Sequence, residues 1–487
     1  MKIKGLRWWI IGLIMAITII NYLDRGTLNY MWVTNIEYKV GGSEVDGNYA
    51  VLMEDGKSYK LYNTNGSEVI KEASSLAFKD NNGTVINKEG IAYDLGIVDR
   101  SLSAEDFTKE AKNMLGTITI FFMIAYGISQ MFSGKLYDRI GTRKGFTFSV
   151  LIWGVADALT SLASGRFSLI AFRMMLGLGE AGPWPGTTKS NAEWFPQKER
   201  AFAQGLFGAA ASIGSILAPV IILMLYLSLG WKLTFVVVGS LGLIWIIPWL
   251  IINKKGPKEH PWITEKEKKY IIEGQPEAKL DETKDKGKSW KELLSNKKNY
   301  SVILGRFFLD PIWWMFVTFL PMYLVDQFNL NIMELASAAW IPYVGAMIGS
   351  VFGGWISGFM IKKGKTVNFS RKFAIVLGCV IIVPAVIASV MATSAFVAVI
   401  LMALVLGGFQ ITMTNIQTIP SDLHSGKSVG SLAGIGGASA VLGTIIAILF
   451  SGYIENWNLL FSLLAALAPL SLLSIFLTVG KIEAIEK

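Results

Sequence analysis

Ionisable side chains sit inside apolar stretches of this 487-residue chain, and these are the groups that could do chemistry. In hydrocarbon each is costly unless it meets a partner or a water-filled cavity, so each needs a reason. The segment NYLDR puts Tyr22, Asp24 and Arg25 deep in the first such stretch. On a helix, adjacent Asp24 and Arg25 point about 100° apart and can serve different partners. The planar fork of Arg25 suits a carboxylate, because it can bind both oxygens at once. Arg173 and Glu180 in FRMMLGLGEAGPWPG are seven residues apart, nearly two helical turns, and so share one face. Both should look into the same cavity. Beside Glu180, Gly177, Gly179 and Gly182 permit another helix to come close. A carboxyl buried there suits the uptake and release of a proton. A salt bridge from Arg25 to Glu180 that only ties two helices together is the competing account, and it is compatible with the proton role.

Arg306 and Asp310, four apart in GRFFLDPIWW, can pair along one helix and suit a gate or structural pairing better than substrate contact. The neighbouring Trp313 and Trp314 fit an interfacial belt or a cavity wall. In GGFQITMTNIQTIPSD, Gln410, Thr412, Asn415 and Gln417 offer neutral hydrogen-bonding groups. These suit sugar hydroxyls, or glue between helices. Asp157 in WGVADALT has no partner evident in the sequence, and no role is assigned to it. No nucleophile elbow, phosphate-cradling loop or cluster of metal ligands is found. One cysteine, Cys379, and two histidines exclude a disulfide framework, a thiol metal site and most imidazole chemistry. The groups suit binding and proton movement rather than enzymatic catalysis, and they require no cofactor.

What must position them is a set of membrane helices. The chain is 52% hydrophobic and only 17% charged, with mean hydropathy +0.46, far greasier than a soluble protein. Its apolar residues fall in blocks such as FAIVLGCVIIVPAVIASVMA, long enough to cross a hydrocarbon core roughly 30 Å thick. Twelve spans are expected, at about 8–33, 114–134, 145–163, 166–189, 200–228, 231–252, 298–325, 333–361, 371–393, 395–420, 430–454 and 457–480. FSGKLYDRIGTRKG after the second span is echoed by ISGFMIKKGKTVNFSRK after the eighth, which indicates two halves of six. Such halves place a substrate site near the midplane between them. Residues 1–36 and 91–252 are expected to form one six-helix bundle and 298–487 the other, joined by a cytoplasmic central loop, 253–297.

Orientation follows the cations. Lys2, Lys4 and Arg7 precede the first span, Lys135, Arg139, Arg143 and Lys144 follow the second, and the central loop is rich in lysine. That places both termini in the cytoplasm, and it accounts for the net charge of +9 without nucleic acid. The first span is too long and lacks a small-residue cleavage site, so it reads as a retained helix. Residues 37–90 are anomalous. Around EDGKS, NTNGS and NNGT they alternate polar and apolar residues with hairpin turn chemistry, and a small β-rich outer-face module is expected there. It is either functional or a tolerated surface insertion. The NGS and NGT tripeptides match the glycosylation pattern.

At NYLDR, GKLYDRIGTRKG and FRMMLGLGEAGPWPGTTKSNAEWFPQKERA the sequence resembles the major facilitator superfamily, in its anion:cation symporter branch. The likeness covers nearly the whole chain except about residues 37–90. The resemblance implies an all-α membrane protein of two six-helix bundles that alternates between inward-open and outward-open states. Within the branch, MKIKGLRWW, EWFPQKERA, ITEKEKKYIIEGQ and RFFLDPIWW look most like bacterial hexuronate transporters. Uptake of galacturonate or glucuronate with protons across the inner membrane is implied. By the same analogy Arg25 binds the substrate carboxylate, Tyr22 and Tyr126 line the site, Asp24 and Glu180 handle protons, and Arg173 supports them. Asn415 and Gln417 are carried over as further substrate contacts. Related aldonate carriers place a glutamine in the fifth span, whereas AAASIGS here offers Ala211 and Ser212, which leaves hexuronate ahead of an aldonate or aldarate.

GKLYDRIGTRKG has a physical account of its own. Gly134 and Gly141 allow a tight turn, and Asp138, Arg139 and Arg143 can form a charge relay at the cytoplasmic helix ends. Such a latch stabilises the outward-open state without touching substrate. The expected partners are thus a small organic anion, protons and the bilayer, with the protein acting as a monomer. Two rivals stand beside this reading: a sensor using the outer module, and an efflux carrier of the same fold.

Overall fold

The computed structural model describes residues 2–32, 48–52, 59–63, 68–70, 78–79, 85–86, 90–99, 104–275, 287–328, 338, 340–451, 454 and 456–485. Helices dominate because a backbone in hydrocarbon has no water to bond and must satisfy its own N–H and C=O groups. The first helix, Leu6–Trp32, carries NYLDR in its second half. Two long segments follow, each folded back on itself at a glycine: Ala104–Thr160 breaks at Gly141 (φ 81°) and Gln197–Ile252 at Gly230 (φ 73°). That left-handed backbone strains any residue with a Cβ, and glycine removes the strain. Between these two segments lie Arg166–Glu180 and Pro183–Trp194. The remaining long helices are Tyr300–Phe328, Ile341–Lys362, Val367–Val390, Ala395–Leu423, Val429–Ser451 and Trp457–Val479.

Among the described residues, nine helices are long and apolar enough to cross a membrane, and one of them, Lys109–Thr160, has 52 residues, enough for two crossings. Buried apolar side chains gather in separate cores, one from Leu293 to Ile482 and two from the amino-terminal half, Leu6 to Ile271 and Leu28 to Val238. The halves meet along two seams, Ile341–Lys362 against Gln197–Ile252 and Val429–Ser451 against Ala104–Thr160. Small residues make the seams close. A Cβ added at Gly430 would lie 2.8 Å from the carbonyl oxygen of Gly134, so only glycine lets these backbones touch.

The expected β-rich module is corrected by the structure. Among the described residues, strand is confined to β1 (Asn48–Leu52), β2 (Tyr59–Asn63), β3 (Glu68–Ile70), β4 (Phe78–Lys79) and β5 (Val85–Ile86). They form two separate antiparallel sheets, β1-β2-β3 and β4-β5. Pairings this short have no face large enough to bury a core, so the turn-rich sequence does not amount to a β module and the helices alone set the fold class. The NGS and NGT tripeptides lie outside the described residues. Some span boundaries also differ. The second helix begins ten residues earlier than expected, at Ala104, and the fourth span is divided after Glu180. Residues 333–337, the expected start of the eighth span, lie outside the described residues.

The segment after Ile252 folds back onto the amino terminus. Arg7 donates from Nη1 to Glu267 (2.8 Å) and from Nε to Glu199 (3.1 Å), and the Tyr270 hydroxyl donates to Glu199 at 2.7 Å. The main-chain N–H of Ile3 donates to the Trp262 carbonyl at 2.7 Å.

Candidate functional site

The helical periodicity separates the two charges of NYLDR. Arg25 lines a small cavity of about 50 Å³ between the halves, whose walls include Tyr22, Tyr126 and Gln130 from one side and Arg306, Asp310 and Gln417 from the other. Its Nε donates to Glu180 Oε2 at 2.7 Å, with Glu180 0% exposed. The guanidinium carbon lies 5.2 Å from the centre of the Tyr22 ring and 5.0 Å from that of Tyr126, where the negative ring faces favour the cation. Among the described residues, Arg25 Nη2 and Glu180 Oε1 have no hydrogen-bond partner. A buried charge with bonding capacity to spare is poised to accept a ligand, because each unpaired group is costly until one arrives.

Glu180 closes the Arg166–Glu180 helix, and Pro183 opens the next. Proline lacks the N–H that would continue the ladder, so the chain turns just beyond the carboxylate. Gly177 and Gly179 lie against Phe122 and Trp153 of the preceding helices. Arg173, two turns earlier, does not line the cavity. It is 4% exposed and lies 5.2 Å from the Phe235 ring. The shared face expected for Arg173 and Glu180 therefore serves two different places.

On the far wall Arg306 holds Asp310 with a two-pronged contact, Nε to Oδ2 at 3.2 Å and Nη2 to Oδ1 at 3.0 Å. Trp313 and Trp314 line the same cavity, so these tryptophans are cavity walls. Gln417 lines it too, accepting on Oε1 from Gln204 Nε2 at 2.8 Å. Gln410 is a further lining residue. Asn415 is placed elsewhere: fully buried, it donates from Nδ2 to the carbonyls of Gly353 (3.0 Å) and Ile411 (2.9 Å), and so ties two helices together. Sequence reasoning missed Gln130, Trp184 and Gln204. Gln130 could have been found, since GISQMF sets a lone amide in an apolar run.

The cavity is sealed at the end of the bundle that carries both termini. Asp138 accepts from the main-chain N–H of Gly430 (3.0 Å) and Ser431 (2.6 Å), from the Ser431 hydroxyl (2.6 Å) and from Lys189 Nζ (3.2 Å). It thus caps the first turn of Val429–Ser451 across the seam, where a carboxylate is favoured by the helix dipole. Lys189, 4% exposed, also donates to the Gly426 carbonyl at 3.1 Å. No spacing rule signals that Lys189, not Arg139 or Arg143, partners Asp138. Arg139 is exposed, Gly141 makes the left-handed turn, and Arg143 donates to the Leu250 carbonyl at 3.1 Å. A second tie joins Arg371 Nε to Asp422 at 2.8 Å, both side chains 0% exposed, with Arg371 Nη2 donating to the Gln197 carbonyl at 3.1 Å. Nearby, His424 Nε2 lies 2.8 Å from Asn299 Oδ1. Burial, then the Lys288 charge, pushes this imidazole down to about 4, so it is neutral near pH 7.

Asp138→Ala removes four contacts at once. We expect the closed end to loosen by about 2 kcal/mol or more, roughly thirtyfold in the ratio of states. Spin labels on the exposed positions Arg139 and Lys363 should report a longer-distance population in electron resonance, and an unchanged distribution would remove Asp138 from the latch.

Known proteins resemble this one over most of its length. The family model of the Major Facilitator Superfamily matches residues 14–447. The hexuronate transporter of Escherichia coli (strain K12) is 31% identical over 372 residues, 75% of this chain and 85% of that protein. The galacturonate transporter of Dickeya chrysanthemi is 32% identical over 264 residues, 54% of this chain and 76% of that one. Among solved structures, the proton:xylose symporter bound to 6-bromo-6-deoxy-D-glucose aligns with TM-score 0.62 at 12% identity, covering 80% of this chain and 90% of that chain, a likeness of fold alone.

Proposed function

Because the chain belongs to the Major Facilitator Superfamily, and is thus a transporter and not an enzyme, we propose that it is a proton-coupled symporter that imports a sugar acid by alternating access. The substrate in this reading is a hexuronate such as galacturonate or glucuronate, the class named for the relatives. The protein sits as a multi-pass chain in a bacterial inner membrane, with both termini cytoplasmic, and works as a monomer. Residues 1–36 with 91–252 and residues 298–487 are its two moving bundles, and 253–297 is the cytoplasmic connection.

The observation that carries the proposal is the Arg25–Glu180 pair on the cavity wall. With no substrate, Glu180 satisfies the guanidinium. A proton arriving on Glu180 cancels that attraction and frees the fork for the carboxylate of the sugar acid. Tyr22 and Tyr126 keep the guanidinium in place through their ring faces, and Gln130, Gln410 and Gln417 offer bonds to hydroxyls. Asp24 is a second proton group supported by Arg173. Arg306 and Asp310 act as a gate on the opposite wall, and the Asp138 seal holds the cytoplasmic end shut while the site loads from outside.

One observation favours an aldarate as the second reading. Arg306 is a further guanidinium in the same cavity, and a dicarboxylate could bridge it to Arg25 once Asp310 yields. Uptake of labelled galacturonate into proteoliposomes, with and without an imposed pH gradient, decides. Galacturonate and glucuronate should compete at least tenfold better than gluconate or galactarate, and an inward proton gradient should raise the plateau. Stronger competition by galactarate would transfer the protein to the aldarate class, and a plateau indifferent to the gradient would refute coupling.

A further inference from the structure

The sealed end holds a second and larger cavity, of about 730 Å³, whose walls come from both halves and from the connection between them. It shares no lining residue with the cavity at Arg25. Five basic side chains line it, those of Arg139, Lys189, Arg200, Lys258 and Lys427, against the three acids Asp138, Glu193 and Glu259. With His424 neutral, two positive charges are left over. Lys189 is neutralised by Asp138 and Glu193, at 3.2 and 3.4 Å. Arg200 is not. It is 3% exposed, and it donates only to uncharged oxygens: the carbonyls of Phe195 (3.3 Å), Ala192 (3.2 Å) and Ser421, and the side-chain amide of Gln275. Asp422, next in the chain to Ser421, is taken by Arg371 (2.8 Å) and Gln197 (3.2 Å). Among the described residues, no carboxylate pairs with Arg200. A buried cation whose charge nothing cancels is costly, and an anion in the cavity relieves that cost. The exposed Arg139, Lys258 and Lys427 raise the local concentration of anions beside it.

We propose that this cavity is a cytoplasmic site for a small phosphate-bearing anion, and that its occupation holds the sealed state and slows import. The volume suits a ligand of metabolite size. A phosphate monoester carries about two negative charges near pH 7, which matches the surplus, whereas a sugar acid carries one. At Arg200 a phosphate oxygen can replace the neutral Gln275 oxygen, because a charged acceptor makes the stronger bond. The lining is drawn from both halves, so movement that opens this end pulls the walls apart. A ligand that binds only the closed form shifts the population toward it. The inference rests on the alternating-access reading above, and adds to it a regulatory ligand.

The test uses the full-length protein in nanodiscs, with radiolabelled glucose 6-phosphate as probe and glucose as control. Wild type should bind the ester saturably and should not retain glucose. Lys258→Gln combined with Lys427→Gln should weaken ester binding by about tenfold or more, the worth of one charged contact. Without ester, galacturonate counterflow by that variant in proteoliposomes should stay within about twofold of wild type, because neither lysine lines the substrate cavity. Inorganic phosphate should compete with the ester, and the tighter of the two identifies the source of the phosphate. Spin labels at the exposed Lys144 and Lys363, both outside the lining, should shift toward shorter distances when ester is added. A distribution unmoved by bound ester would overturn the hold on the sealed state. Equal retention of ester and glucose, displacement of the ester by galacturonate, or unchanged affinity in the double variant would overturn the site. If the double variant fails to reconstitute, the wild-type competitions decide. Should wild type show no galacturonate counterflow, the substrate reading fails while ester binding still judges the site.

Discussion

Arg25→Ala is expected to lower hexuronate uptake at least a hundredfold. Removing one partner of a buried, hydrogen-bonded ion pair costs about 3–5 kcal/mol, and every 1.4 kcal/mol is tenfold in binding. The loss here is double. Glu180, 0% exposed, loses its 2.7 Å donor, and the incoming carboxylate loses the fork that would receive it. Arg25→Lys should recover only part of the activity, because an ammonium is a point charge that cannot bind two oxygens in one plane. Initial uptake rates in proteoliposomes, normalised to reconstituted protein, are the measurement. Normal affinity in Arg25→Ala would place the substrate carboxylate elsewhere, with Arg306 the next guanidinium to examine.

Glu180→Gln should separate binding from driving force. Glutamine keeps the size of the acid and resembles its protonated form, so Arg25 is permanently released and counterflow should persist. What disappears is the part of the gradient response that Glu180 carries. One pH unit is worth about 1.36 kcal/mol per proton, so each proton moved with the substrate can concentrate it about tenfold per unit. The variant should lose about that factor per unit of imposed gradient and keep only what a proton on Asp24 drives. Affinity should also lose its pH dependence, since the group whose charge competes with substrate is gone. Gradient-driven accumulation equal to wild type in Glu180→Gln would remove Glu180 from the mechanism.

Local periodicity made much of this legible. Apolar blocks of membrane-spanning length gave the helices, and the 100° step between Asp24 and Arg25 implied that they face different neighbours, as they do. The seven-residue spacing of Arg173 and Glu180 misled, because that rule fixes direction along one helix and says nothing of where the cavity ends. Arg173 lies nearly two turns before Glu180 on its helix, against the Phe235 ring. Asn415 misled for a related reason. An amide among cavity-lining glutamines looks like a ligand group until packing turns it toward a neighbouring backbone. Among pairings between distant segments, Arg25 with Glu180 was legible because both buried charges need a partner, but Lys189 with Asp138 joins helices whose contact no spacing rule can supply. The segment 37–90 failed differently: turn residues and alternation predict hairpins, but not whether hairpins gather into a module.

The burial of Arg371 and Asp422 at the sealed end has a consequence for the medium in which the carrier works. Mobile ions screen charges only where they can approach, with a Debye length of about 10 Å at 0.1 M salt and about 3 Å at 1 M. A pair with no solvent contact stays outside that screening. The strength of the seal should therefore be nearly the same in dilute and in saline surroundings, so that osmotic changes in the habitat leave the resting state of the carrier undisturbed.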